Sequence, residues 1–594
     1  MEERTLFLKG LDLHKSQLRS GGAPVQHFVT TKRGDMANSL FARGWPGSVG
    51  GKTIATLFAI LSCGESTAMK EDKSILWGTA TAAYQVEGNR EADGRAPSIW
   101  DAFDTAGVSD VILSTKPSGS CTVQNCENAA QADNDYVRYE DSAQLTSDYG
   151  FSATRVSISM PRVMNYTFDN ITSTLTWSPN EAGIEHYKSV FAAYKDQDIK
   201  IACTMWHWDL PLAIEEAAAA STSDDCRGPS AWLCFDLVSE AFASYSKLLM
   251  DNFADDVAYW ITINEPLTIV ENGYAGSGPH APGRCSDRSA CFAGSDLTEP
   301  YLAAKGLILA HAQAFRAWES AGKPGLGCGV TLNGDFRVPY NVSNPNDVAA
   351  AERDMEWQAA LFADPIHFGK WPESIENAVG ERLKDFGWAW TDDEIELVMG
   401  THDEHFFMNT YTSGYTRAGV DDGCGWNCDA AADTSAYDFE TNVPIGTPSS
   451  NGWLYNYGPG IGELMTWYNN RYPGQSFIVT ENGWGNATAV NVEDDLFDYE
   501  RCDFFRSYIG NMSSYAAKNQ ISVKAYFAWS LMDNYEWADG FTTRFGITYV
   551  DYDTQERTPK LSAKWFQTHV TAMTTLPTDG MPLPACESSL LHQA

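Results

Sequence analysis

From about residue 73 onward, short β-branched and aromatic runs alternate with longer Ala-rich stretches of amphipathic pattern. Eight runs of the first kind follow one another at 75–85, 153–160, 200–208, 259–266, 327–334, 406–413, 476–483 and 523–532. Stretches such as AFASYSKLLMDNF (241–253) and YLAAKGLILAHAQAFRAW (301–318) read as helices between them. Alternation of this kind is the signature of βα units around a parallel sheet. The first unit carries no Gly-rich dinucleotide fingerprint, and eight units suit a closed cylinder better than an open doubly wound sheet. The pattern therefore predicts an α/β fold, a single (β/α)8 TIM barrel with long βα loops, spanning residues 73–575. Residues 1–72 read as an N-terminal extension, and the Pro- and Ser-containing residues 576–594 as a tail.

Two of the runs end on a carboxylate. SFIVTENGWGN (476–486) leads a buried-type strand into Glu481, and AYWITINEPLT (258–268) does the same with Glu265. In a barrel all strand C-termini emerge on one face, so the ends of the fourth and seventh strands project into one bowl. A pair of carboxyl groups across such a bowl is the equipment for cleaving a glycosidic bond. One protonates the leaving oxygen, and the other attacks the anomeric carbon or activates water. Either triplet alone, NEP or ENG, recurs by chance. The two together at those strand ends do not.

In chain order the sequence carries LWGTATAAYQVEG (76–88), TRVSIS (154–159), HWDLP (207–211), TINEP (262–266), HAPGR (280–284), VTENG (479–483), WSLMDNYEWADGFTTRFGITYVDY (529–552) and PKLSAKWF (559–566). This set resembles glycoside hydrolase family 1, the β-glucosidase family, over roughly residues 73–570. The resemblance implies a retaining β-glycosidase, most simply a β-glucosidase acting on O-linked β-glucosides or short oligosaccharides. It makes Glu265 the general acid/base and Glu481 the nucleophile, with Arg155 and Tyr411 supporting that nucleophile. It places Gln85 and His207 near the 3-hydroxyl of the sugar and Asn264 at its 2-hydroxyl. Trp529 would form the floor, with Glu536 and Trp537 reading the 4- and 6-hydroxyls. No metal and no cofactor is implied; HDEH (402–405) lacks the spacing of a zinc-protease helix. A transglucosidase using the same intermediate and a catalytically silent carbohydrate-binding relative are the alternatives.

The chain departs from the family pattern in three places. Phe407 stands where the family has Gly, which bears on the placement of Tyr411. Met160 replaces a Trp, and an insertion at 215–232 is expected to reshape the leaving-group side of the cleft.

Composition narrows the partners. A net charge of −37 argues against nucleic acid and anionic membrane surfaces, which need basic patches. A small β-glycoside is the expected partner, and the sequence does not fix an oligomeric state. Of 13 cysteines, eight fall in close loop pairs, 121/126, 226/234, 285/291 and 424/428, which predict local disulfides. Cys203, Cys328 and Cys502 lie in apolar surroundings and read as buried thiols. KTIATLFAILSCGESTAMK (52–70) has the basic start, short apolar run and small-residue end of a secretory signal peptide. Together these features predict a secreted protein or one resident in the secretory lumen.

Overall fold

The computed structural model describes residues 74–577 and 582–592, so the signal-like segment and the rest of the N-terminal extension lie outside the described residues. Eight parallel strands close into a barrel: β1 (Leu76–Ala80), β2 (Ala153–Ser157), β3 (Lys200–Trp206), β4 (Tyr259–Asn264), β5 (Gly327–Asn333), β6 (His405–Asn409), β7 (Ser476–Asn482) and β8 (Val523–Trp529). Each pairs with its neighbours in chain order, and β1 closes the cylinder by pairing with β8, from Leu76 opposite Ala525 to Ala80 opposite Trp529. The outer helices include α1 (Asp135–Asp148), α2 (Glu181–Asp196), α3 (Phe235–Phe253), α4 (Glu299–Ser320), α5 (Leu361–Phe368), α6 (Pro459–Arg471), α7 (Tyr499–Asn519) and α8 (Leu561–His569). Covering the sheet on its outer face while side chains fill its interior leaves strands such as β4, YWITIN, buried at every position. No helix among the described residues is long and apolar enough to cross a membrane.

The first strand is shorter than its apolar run suggests. It stops at Ala80, and Ala83–Val86 form one helical turn that carries Gln85 over the barrel mouth. That turn is pinned where the Ala83 amide donates to Ser157 Oγ (2.7 Å) and the Tyr535 amide to the Gln85 carbonyl (3.2 Å). Tertiary hydrogen bonds here override the strand pattern. The eighth strand likewise ends at Trp529, not at 532.

Phe407 is accommodated by a neighbour. A Cβ on Gly329 of β5 would meet the Phe407 ring at 2.7 Å, so the missing side chain on one strand makes room for the ring on the next. Gly78 and Phe527 repeat the arrangement between β1 and β8, at 2.5 Å. Interiors packed to crystal-like density require such pairing of small with large. The backbone course beyond β6 is therefore kept despite the bulky residue.

All four expected loop disulfides are present, with Cα–Cα separations of 5.3, 3.9, 5.6 and 5.6 Å. Cys203 and Cys328 are buried thiols. Cys502 is not: it bonds Cys586, tying α7 to the C-terminal segment across 84 positions of chain. Apolar surroundings suit a thiol and a half-cystine equally, so the sequence could not separate the two. Leu583 and Leu590 are buried, and Trp565 of α8 donates to the Pro584 carbonyl (2.9 Å).

The loop leaving β8 hangs on Asp533, which is fully buried. It accepts from Lys560 Nζ (2.6 Å), Arg544 Nη1 (2.6 Å) and the Gly546 amide (3.0 Å). Burial lowers the Lys560 pKa to about 8, aided by Arg501 and opposed by Asp533 and Asp498. Removing Asp533 would leave the buried Lys560 ammonium without its carboxylate and Arg544 with only Asp495, a loss of about 3–5 kcal/mol for a broken buried pair. Asp533→Ala should therefore lower the apparent Tm by several degrees in a thermal melt. An unchanged melt would show that the network contributes nothing to stability.

Candidate active site

The C-terminal ends of the strands open onto a cavity of about 490 Å³. Glu265 follows β4 directly and caps the short helix Pro266–Gly273, with φ of 46° in the left-handed region. Its side chain is held from both sides: Asn409 Nδ2 donates to Oε1 (2.7 Å) and Thr268 Oγ1 to Oε2 (2.8 Å). Asn333 Nδ2 donates in turn to Thr268 Oγ1 (2.8 Å), which fixes the direction of the threonine hydroxyl.

Glu481 lies within β7 and is buried. The Arg155 guanidinium pairs with its Oε1, and the Tyr411 hydroxyl donates to Oε2 (2.6 Å). Arg155, on β2, also reaches Thr204 Oγ1 (2.9 Å) and Asn264 Oδ1 (2.7 Å), joining β2, β3, β4 and β7 beneath the cavity. Gly483 ends the same motif because a Cβ there would lie 1.9 Å from the Trp529 carbonyl oxygen.

The two carboxyl groups sit in different environments. Burial raises the Glu265 pKa to about 8, reinforced by the charge of Glu481 and opposed by Asn409, Thr268 and Arg155. A buried acid beside a second carboxylate that is paired with a cation is the arrangement that divides acid from nucleophile.

The amide of Asn264 has one allowed orientation. Arg155 and Asn409 (3.2 Å) both donate to Oδ1, so the NH2 group faces His207 and the cavity. His207 Nε2 accepts from it at 3.0 Å, which puts the ring proton on Nδ1, an atom with no protein partner. Burial holds His207 well below its usual pKa, and the nearby Arg155 adds to this, so the ring is a neutral donor.

Glu536 and Trp537 come from the loop after β8. Gln85 Nε2 donates to Glu536 Oε2 (3.3 Å), to Asn534 Oδ1 (3.0 Å) and to the Tyr535 carbonyl (3.0 Å), leaving Gln85 Oε1 without a partner. Burial pushes Glu536 well above the usual carboxylate range, and Asp539, Glu481 and Glu265 push it further. The Trp537 ring packs 4.6 Å from Trp208 and 4.7 Å from Trp100 and lies parallel to Tyr84 at 5.9 Å. Trp529 stacks on His207 at 6.0 Å. Aromatic faces and hydrogen-bonding edges thus converge on one wall.

Of the ten residues singled out from the sequence, eight line the cavity: His207, Asn264, Glu265, Tyr411, Glu481, Trp529, Glu536 and Trp537. Gln85 and Arg155 stand one layer behind, bonded to Glu536 and Glu481. The insertion at 215–232 does not reshape the cleft as expected, since none of its residues lines the cavity. It folds onto the barrel side instead, where Trp232 packs at 4.9 Å on Trp206, and it closes on itself where Glu215 accepts from the Ala231 amide (2.8 Å).

Several lining residues were not foreseen: Thr268, Asn333, Asp335, Asn409 and Trp453. Asn333 and Asn409 end β5 and β6, so the strand-end rule that isolates Glu265 would also have found them. Asp335 Oδ1 accepts from the Tyr411 (3.1 Å) and Thr412 (3.0 Å) amides and so positions the loop that carries Tyr411. Trp453 enters from a loop with no periodic signal. Of the histidines at 402–405, His405 has both ring nitrogens against protein atoms, Ser476 Oγ (2.6 Å) and the Leu326 carbonyl (3.2 Å).

Among curated proteins, the chain is 35% identical to Beta-glucosidase 1B of Phanerodontia chrysosporium over 506 residues, covering 83% of this chain and 85% of that one. It is 35% identical to Beta-glucosidase 6 of Oryza sativa subsp. japonica over 511 residues, covering 83% and 89%. Among solved structures, a mutant rice β-glucosidase in a covalent complex with Glc superposes with a TM-score of 0.74 at 33% identity, covering 85% of this chain and 98% of that one. A family 1 β-glucosidase from the fungus Humicola insolens in complex with glucose gives 0.72 at 32% identity, covering 83% and 97%. The model of glycosyl hydrolase family 1 matches residues 69–574, and with two buried glutamates at the ends of the fourth and seventh strands of a closed barrel, the chain belongs to that family.

Proposed function

We propose that the protein is a retaining β-glucosidase, hydrolysing O-linked β-glucosides or short oligosaccharides by double displacement. Glu481 attacks the anomeric carbon, the glycosidic C–O bond breaks, and its electron pair leaves with the oxygen, which takes the proton of Glu265. Ester formation removes the charge of Glu481, so the pKa of Glu265 falls and its carboxylate becomes a base. Water then gives a proton to Glu265 as its oxygen bonds the anomeric carbon and releases Glu481. Asn264 and His207 donate to the 2- and 3-hydroxyls, Gln85 supports the same end, Trp529 underlies the ring, and Glu536 with Trp537 holds the far edge.

The observation that carries this reading is a buried Glu265, held by Asn409 and Thr268, sharing one cavity with a Glu481 paired to Arg155 and Tyr411. The relative captured with Glc covalently attached supports the intermediate. Because Glu265 must enter the first step protonated, kcat/KM on an aryl β-glucoside should fall as pH rises through about 8. The first-formed sugar, followed by NMR, should be the β-anomer. An α-anomer would exclude retention, and a basic limb near the ordinary carboxylate pKa would exclude Glu265 as the acid. Five disulfides support a further proposal, that the protein works in an oxidising secretory compartment or outside the cell.

A further inference from the structure

We infer that the leaving-group end of the cavity selects by charge, favouring an aglycone that carries an ammonium group and rejecting one that carries a carboxylate, with Glu271 as the selecting residue. The inference rests on the β-glucosidase reading and adds to it the class of leaving group.

Thr268 and Glu271 are three residues apart on the helix Pro266–Gly273, so they share a face, with Glu271 one turn farther from the acid. Thr268 holds the carboxyl of Glu265 itself, which puts Glu271 about 4.5 Å of helical rise beyond the proton donor, toward the outer part of a leaving group and away from the scissile oxygen. Glu271 lines the cavity with an exposed side chain, and its carboxylate has neither a hydrogen bond nor a salt bridge among the described residues. One acceptor therefore faces this space with no protein donor to accept from.

Apart from its histidines, the ionisable lining is entirely acidic. Glu265, Glu271, Asp335, Glu481, Glu536 and Asp539 line the cavity, and no Lys or Arg does. The nearest cation behind Glu271 and Asp335 is Arg337, whose Nε is committed to Asp354 at 2.9 Å. A cationic substituent would give Glu271 the donor it lacks. An anionic one would meet the like charge of Glu271 with no cation on the wall to offset it.

The test uses three β-glucosides built on one ring: 4-(aminomethyl)phenyl, 4-methylphenyl and 4-carboxyphenyl. Their leaving abilities differ, so the informative quantity is the kcat/KM ratio of the ammonium to the carboxylate substrate, compared between wild type and Glu271→Gln. The wild-type ratio should be higher by about tenfold, the scale of one close charge in a half-screened site. The wild-type ratio should also shrink as salt is raised to about 0.5 M, where the screening length is only a few ångströms. Turnover of the 4-methylphenyl glucoside with equal ratios in the two enzymes, or a wild-type ratio indifferent to salt, overturns the charge selection alone. Failure of wild type to hydrolyse any of the three overturns the β-glucosidase reading, and this inference with it.

Discussion

Glu481→Ala should lose about three orders of magnitude or more in kcat on aryl β-glucosides, and added azide should restore product as the α-glucosyl azide. Removing a nucleophile that acts as part of a unit costs on this scale. It also vacates the space between the Arg155 guanidinium and the Tyr411 hydroxyl, two donors that held the carboxylate and can hold a small anion there. Azide entering from that side attacks the anomeric carbon once and inverts it. Glu265→Ala should behave differently. Substrates with good leaving groups need little protonation, so they should still glycosylate Glu481 and then stall, because no base activates water. Azide needs no base, and by attacking the glycosyl ester it should give the β-glucosyl azide by a second inversion. Exchanged stereochemistry between the two variants would mean that the roles are exchanged. Glu265→Gln is a useful control, since its amide oxygen can still accept from one of the two donors on the acid, Asn409 or Thr268, and it should resemble Glu265→Ala in product but not necessarily in stability.

The barrel is legible because its evidence is local and repeated. Each parallel strand is buried on both faces, and each amphipathic stretch must cover it, so eight alternations leave few other folds. The position of Glu265 and Glu481 follows from the same fact, as strand C-termini share a face. What the sequence hides are the partners that decide chemistry across the barrel. Asn409 sits in a motif where attention falls on Phe407, and nothing local says that its amide reaches Glu265 while Gly329, on another strand, makes room for the phenyl ring. The early end of β1 is hidden for a similar reason, since the hydrogen bonds that turn the chain at Ala83 come from Ser157. Cys502 shows the limit most plainly. Burial can be inferred from its apolar neighbours, but a partner 84 positions away cannot. Residues 215–232 mislead in the opposite direction: an insertion next to a site motif suggests a new wall, whereas its Trp232 packs on Trp206 at the barrel side.

Glu536→Ala should cost at least about two orders of magnitude in kcat/KM on β-glucosides, and Glu536→Gln distinctly less. As proposed, Glu536 holds the edge of the sugar remote from the bond that breaks, and hydrogen bonds involving such a group are worth about 1.5–3 kcal/mol each. Two lost together reach that range once the loss is read as transition-state stabilisation. The glutamine is milder because Glu536 is pushed well above the usual carboxylate range by burial and by Asp539, Glu481 and Glu265. A carboxyl group biased toward its neutral form donates and accepts much as an amide does. Gln85 reports on the same point: its Nε2 donates to Glu536 Oε2, and an amide oxygen at that position would still accept. Equal losses in the alanine and glutamine variants would show that a full negative charge, not a hydrogen-bonding shape, is what the sugar edge requires there. Unchanged kcat/KM in both would place the sugar elsewhere in the cavity.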